Sequence, residues 1–339
     1  MRRWEIAGGA PSRRRLIKAA AALVAGMGAP AVLRVTAALA AYPERPVKIV
    51  VANTPGGPSD IVARILAAGL QEATGKTFII ENRGGAGGNI GMGYAAHVEP
   101  DGYTLLLPTN AYSINAGLYD RIPYDPLKDF VAIADVAGSP NTFAVKPELG
   151  VATMKEFIAL VQSDPAKFNV AVPPIGTTPQ LQAEVLKIRA GLTKMASIVF
   201  SGGGEALQAM LSGTVQLSSG ALAPVQPHIK TGAVKCLAIT GDARWPDLPD
   251  VPTMLDQGFK DFVFATDCAF VAPAKTPIEV VRWLETESLR VLAQPQMKDK
   301  LFRSGFLIRA KDGKACMERL VKEVAIFSDI ITQAGIQKM

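Results

Sequence analysis

Thr54, Gly57, Ser59 and Asp60 fall within seven residues of one another, where the β-branched run VKIVV meets the break TPGGP. Ser59 and Asp60 stand where a helix should begin, ahead of an apolar stripe of Ile61, Ile65, Leu66 and Leu70. A helix start leaves backbone N–H groups unpaired and partly positive, so such a turn suits an anion, a carboxylate as readily as a phosphate. Similar chemistry recurs further on. Gly176, Thr177 and Thr178 lie in PPIGTTP, with proline near the first helical position, and the threonines can cap that helix, donate hydroxyls to a ligand, or do both. Ser201 and Gly202 open FSGGG ahead of a helix at Glu205, and Asn110 follows the strand pattern TLLLPT, where it can form a turn or donate to a ligand. Strand-end turns facing one another make a cleft that holds its ligand with N–H groups and hydroxyls.

Catalytic chemistry lacks its parts. A hydrolase using Ser59 or Ser201 needs a base beside the serine, and the chain has two histidines, His97 and His228, and no G-x-S-x-G elbow. Two histidines also exclude a His-rich metal site, and no cofactor is expected. No Walker sequence occurs. GMGYAA at 91–96 fits a loose dinucleotide pattern, but no strand runs directly into its first glycine, so a tight structural turn is the better reading.

The elements that must position these turns alternate in type. Strands are expected at Phe78–Glu81, Thr104–Leu107, Val131–Asp135, Phe143–Val145, Asn169–Val172, Ala196–Phe200, Val215–Ser218 and Val234–Thr240, and a long extended run at Phe262–Pro273. Helical patterns cover Met154–Gln162, Pro179–Ala190, Glu205–Leu211, Ile278–Ala293, Gln296–Arg303 and Cys316–Thr332. This alternation predicts an α/β protein with parallel sheets covered on both faces.

The N-terminus reads as an export signal. SRRRLIK precedes an alanine-rich apolar stretch and a small-residue end, AALAA, with cleavage expected near Ala41. The paired arginines resemble a twin-arginine signal. Of the 36 Lys and Arg residues seven lie in the first 41, as does one of the 30 acids, which leaves 29 of each beyond. The balance removes the electrostatic footprint of a nucleic-acid binder. Three cysteines, Cys236, Cys268 and Cys316, make no disulfide framework; Cys236, in VKCLAIT, reads as a buried thiol.

The order and spacing of YPERPVKIVV, GGPSDIVARIL, IIENRGGAGGNIG, EPDGYTLLL, IGTTPQLQAEVL, PHIKTGAVKCLAIT, RWPDLPDVPT and APAKTP resemble the substrate-binding proteins of tripartite tricarboxylate transporters, the Bug type. The resemblance covers residues 42–339. It implies a periplasmic type II binding-protein fold, two α/β domains with a ligand cleft between them, and no enzymatic activity. Residues 42–142 and 267–339 would form one domain and 143–266 the other, joined near 140–145 and 262–270. It further implies a monomer that takes a small organic carboxylate and passes it to membrane permease subunits; a sensor presenting the solute to a signalling partner would share the same binding chemistry.

Carried onto this chain, the resemblance puts a ligand carboxylate at Thr54, Gly57, Ser59 and Asp60. Asp60, itself a carboxylate, would cap the helix or fix a water instead of touching the ligand. Gly176, Thr177, Thr178, Ser201 and Gly202 would come from the opposite domain, with Asn110 at a strand end. Several positions depart from the family pattern: Asn53-Thr54 replaces Pro-Phe, Gln180 lies where a histidine is usual, Phe200-Ser201-Gly202 replaces Tyr-Lys-Gly, Gln216 replaces an aspartate, and Asp267 replaces a tryptophan. The loss of a lysine and the gain of Asp267 suggest a ligand with fewer carboxylates, with an amine or hydroxyl against Asp267; the alternative is that Asp267 faces solvent at the hinge.

Overall fold

Residues 42–339 are those that the computed structural model describes, and the compact body spans Arg45–Met339. The expected export signal lies outside the described residues. The chain opens with β1 (Val47–Val51), α1 (Pro58–Thr74), β2 (Phe78–Asn82), α2 (Asn89–Ala96), β3 (Thr104–Leu106) and α3 (Ala111–Leu118). The long strand β4 (Phe130–Val145) follows, then α4 (Met154–Ser163), β5 (Asn169–Val172), α5 (Thr178–Arg189), β6 (Ala196–Val199), α6 (Gly203–Leu211), β7 (Leu217–Ala221), α7 (Leu222–Lys230) and β8 (Lys235–Ile239). The last stretch holds β9 (Ala265–Pro273), α8 (Ile278–Leu292), α9 (Pro295–Arg303), β10 (Leu307–Asp312) and α10 (Gly313–Gln333).

These elements form two α/β domains that share one strand. In the first, β1 runs parallel to β2 and β3, and β9 and β10 flank β4 in antiparallel fashion. In the second, β5 runs parallel to β6 and β7, while β7 and β8 pair antiparallel with the far end of β4. The exchange of partners falls between Pro140, opposite Ala265, and Asn141, opposite Ala221. Two strands were expected here, Val131–Asp135 and Phe143–Val145. The strand instead runs through, because Pro140, which has no N–H to donate, stands where β4 leaves one sheet and enters the other.

Other differences have local causes. The stripe expected on the first helix is rotated: Val62, Ala63, Leu66, Ala67 and Leu70 are buried, while Ile61 and Ile65 are half-buried. Gly69 lies on this buried face, and a Cβ there would sit 2.6 Å from Val291 and 2.3 Å from Met297, so α8 and α9 approach α1 closely. The GMGYAA segment is helix α2, not a tight turn. Its glycines hide the helical pattern because they serve packing: a Cβ at Gly91 would lie 2.5 Å from the Arg83 carbonyl and 3.0 Å from Ala52 Cα. His97 ends that helix, its Nδ1–H donating to the Gly93 carbonyl at 2.8 Å. Helices α3 and α7 and strand β10 were not expected. Two prolines, Pro224 and Pro227, argue against α7 in sequence, yet Pro224 falls in its first turn, where no N–H is needed. All three cysteines are buried and unpaired, and burial pushes the Cys236 thiol up to about 12.

Where the domains join, charge is buried. Asp135 of β4 accepts from Arg319 of α10 at 2.9 Å, Arg319 also pairs with Glu323, and Asp267 of β9 pairs with Arg309 of β10 at 2.5 Å. Asn110 Nδ2 and Ser113 Oγ donate to Glu323 at 3.1 and 3.2 Å. Three carboxylates thus face two guanidiniums, and burial pushes the Glu323 carboxyl up to about 6 despite Arg319 beside it. Helix α10 carries this cluster across both cores: Cys316 and Leu320 pack with Val50 and Leu106, and Phe327 and Ile331 pack with Phe143 and Val170.

Two predictions follow from this packing. Gly91→Ala is expected to destabilise the protein by about 1–3 kcal/mol through overpacking against backbone, read as a lower Tm in thermal unfolding. For Glu323, the folded chain still holds a proton between 4.5, the ordinary carboxyl value, and about 6, where the unfolded chain has lost it. Its contribution to stability therefore falls as pH rises through that window. Glu323→Gln should gain on the wild type in Tm between pH 4.5 and 6.5, and a constant difference across that range would count against the assignment.

Candidate functional site

The carboxyl ends of six parallel strands point into one crevice, the place where open α/β sheets bind ligands. Its walls are the β1–α1 turn (Ala52–Pro58), the glycine segment after β2 (Gly84–Gly88), Pro173–Pro179 after β5 and Val199–Gly203 after β6, with Thr109 and Thr266 from β3's end and β9. The enclosed volume is about 780 Å³. Among the described residues that line it there is no Lys, Arg, His, Asp or Glu.

Positive potential comes from backbone instead. Helices α1, α2, α5, α6 and α7 all begin on this wall, at Gly57, Gly88, Thr177, Gly202 and Ala221, and at none of these does a side chain cap the helix. Away from the cavity α4 and α10 are capped by Thr153 and Asp312, and α8 and α9 have no side-chain cap. The first N–H groups of a helix have no partner within it, so these starts turn donors toward one space, although the Asn89 N–H at the start of α2 is taken by the Ala86 carbonyl.

Of the residues singled out in sequence, Thr54, Gly57, Thr177, Thr178, Ser201 and Gly202 line the cavity. The remainder stand behind its wall. Ser59 Oγ donates to Asn53 Oδ1 at 2.7 Å. Asp60, near-fully buried, accepts from Gly56 N–H at 2.9 Å, Arg64 Nε at 3.0 Å and Asn82 Nδ2 at 2.9 Å. Burial works to raise its carboxyl, but the bonds from Arg64, Gly56 and Asn82 outweigh it and hold Asp60 below the usual range. Asp60 thus braces the turn from its third helical position, reaching back in the manner of a capping box. Asn110 Oδ1 accepts the Asp267 N–H at 2.6 Å, and Asp267 itself is buried against Arg309, facing neither solvent nor the cavity. Gly176, at φ 89°, donates its N–H to Gln180 Oε1 at 3.3 Å.

The threonines divide their work. Thr177 holds the N-cap position of α5, but its hydroxyl donates to the Pro174 carbonyl at 2.8 Å. Thr266 donates to Asn141 Oδ1 at 2.7 Å, so the 3.0 Å contact between Thr178 and Thr266 uses the Thr178 proton. The glycine segment Gly84–Gly88, Tyr119, Ile175, Val199 and Thr266 also line the cavity and were not singled out. The run RGGAGG carried the signal for the first of these; the others have none in their local sequence.

Across the crevice the two domains touch at glycines. A Cβ on Gly87 would lie 2.5 Å from the Ile175 carbonyl, one on Gly176 2.1 Å from Asn115 Oδ1, and one on Gly202 2.8 Å from Thr54 Oγ1. Asn115 Nδ2 meanwhile donates to the Gly87 carbonyl at 3.0 Å and to Asn89 Oδ1 at 2.8 Å. Gly87 and Gly176 also have positive φ, at 64° and 89°. Gly87→Ala and Gly176→Ala are expected to hold the domains apart, seen as a larger radius of gyration in solution scattering. Gly202→Ala should do so little, since the Thr54 side chain can rotate away.

Residues 62–336 match the model of the tripartite tricarboxylate transporter family receptor. BugT of Bordetella pertussis (strain Tohama I) is 33% identical over 242 residues, covering 71% of this chain and 74% of BugT. The periplasmic binding protein BugD superposes with a TM-score of 0.84 at 31% identity, over 88% of this chain and 100% of BugD. The R. palustris protein Rpa4515, solved with adipate, gives 0.84 at 30% identity over 88% and 100%. With two α/β domains, a crevice of uncapped helix starts and this degree of likeness, the chain belongs to the tripartite tricarboxylate transporter receptor family of periplasmic, non-enzymatic solute-binding proteins.

Proposed function

We propose that this protein captures a small carboxylate-bearing solute in the periplasm and delivers it to the membrane permease subunits of a tripartite tricarboxylate transporter. The observation that carries the reading is the convergence of five uncapped helix starts on a cavity whose described lining has no charged side chain. Helix-start N–H groups favour an anion there, and a carboxylate needs no cation beside it. The adipate held by the R. palustris relative supports the same class. In this reading Thr54, Gly57, Thr177, Thr178, Ser201 and Gly202 meet the solute, while Ser59, Asp60, Asn110, Gly176 and Asp267 hold the wall in place. Residues 42–142 with 267–339 act as one jaw and 143–266 as the other, in a monomer.

Thermal unfolding with mono-, di- and tricarboxylates tests the reading. A ligand at 100 times its Kd adds about 2.7 kcal/mol of stability. At least one carboxylate should raise Tm accordingly, while the matching amides do not. Shifts from amides or sugars alone would overturn it. Delivery is checked by uptake of the binding carboxylate in intact cells, which deletion of the gene should abolish.

A further inference from the structure

The helix starts around the cavity are not electrically alike. Helix α1 carries Asp60 in its first turn, and that carboxylate is already paired with Arg64 at 2.9 Å. Helix α6 carries Glu205 in its first turn, which accepts the Ser201 Oγ–H at 2.7 Å and the Ser201 N–H at 3.3 Å. Glu205 is exposed and makes no ion pair among the described residues. Helices α2, α5 and α7 have no acid in their first turns. The α6 start is therefore balanced by an internal carboxylate whose net charge remains, one hydrogen bond from the lining residue Ser201. The first N–H of α2 is taken by the Ala86 carbonyl, while the start of α5 still has its positive end open.

Between these two zones the wall is mostly apolar: Pro55, Pro58, Tyr119, Ile175, Val199 and Phe200. A carboxylate at the start of α5 leaves the rest of the solute running along this wall toward the Ser201–Gly202 lip. A second carboxylate arriving there meets Glu205, with no cation among the described lining residues to offset the repulsion.

We infer that the cavity selects a solute with one carboxylate and an uncharged, largely apolar remainder, and that Glu205 is the residue that turns away a second carboxylate at the lip. This rests on the carboxylate reading above. Glu205 sets specificity through charge, since Gln in its place keeps an oxygen for Ser201 and removes the negative charge at the lip.

Calorimetric titration with chain-matched pairs, hexanoate against adipate and octanoate against suberate, isolates the second charge. The monoacid of at least one pair should bind about tenfold more tightly than its diacid, the order expected for like charges ~6 Å apart in partly screened surroundings. Glu205→Gln should bring that ratio close to one by tightening the diacid, with the monoacid unchanged and the ligand-free Tm retained. A wild-type protein that binds the diacids as tightly as the monoacids overturns the inference, as does a ratio indifferent to Glu205→Gln. If other carboxylates raise Tm but neither pair binds, the unbranched apolar remainder is wrong and the inference falls alone. If no carboxylate of any kind binds, the carboxylate reading falls and takes the inference with it.

Discussion

Both domains depend on one strand. β4 pairs with β9 and β10 over its first part and with β7 and β8 over its last, so one strand is an interior member of both sheets. A shared backbone fixes the distance between the two sheets at the place where they join. It therefore sets where the strand ends of one domain can face those of the other. Helix α10 reinforces the joint by packing its first half in one core and its last in the other. The set Asp135, Asp267, Arg309, Arg319 and Glu323, its three carboxylates buried, lies on the same elements, and its bonds are made only when β4, β9, β10 and α10 are in register. Breaking one partner would strand a buried charge, so the cluster favours a single arrangement of the joint over a sliding one.

In the proposed reading the crevice binds its anion without ion pairs. A lysine or arginine in a cavity must be desolvated along with the ligand, whereas unpaired N–H groups are held by the helices behind them and reorganise little. The cost is that these helix starts go without side-chain caps, each worth roughly 1 kcal/mol in an ordinary helix. Elsewhere in the chain Thr153 and Asp312 provide such caps, while α8 and α9 begin away from the crevice without one. Asp60 shows how far the fold goes to keep the first turn shaped: its charge is neutralised by Arg64 and turned away from the cavity.

Glycine sets how closely the domains meet. At Gly87 and Gly176 the backbone adopts positive φ, and the opposite domain occupies the space where a Cβ would stand. Those contacts make the width of the crevice a property of the backbone. Side chains such as Thr54 and Ser201 then vary the lip without altering the approach of the domains.

Local sequence determined a good deal. The β-branched runs VKIVV and NVAV, buried on both faces, could form little but central strands, and TPGGPSD could only end one and begin a helix. The expectation of an anion at the turns came from helix starts alone, and the reading against catalysis from two histidines and no nucleophile elbow. Where sequence reasoning failed, a tertiary neighbour had replaced a local preference: Gly91 and Gly93 sit in a helix because other chain segments press against them, and Pro140 continues a strand because its missing N–H falls at a change of sheet. Asp267 is the clearest case. Its sequence position suggested ligand or solvent, and only the distant Arg309, brought beside it by β10, takes it out of the site. Thr54 and Gly202 likewise face one another across 148 residues of chain, a juxtaposition that no local pattern encodes because it depends on two domains closing about a shared strand.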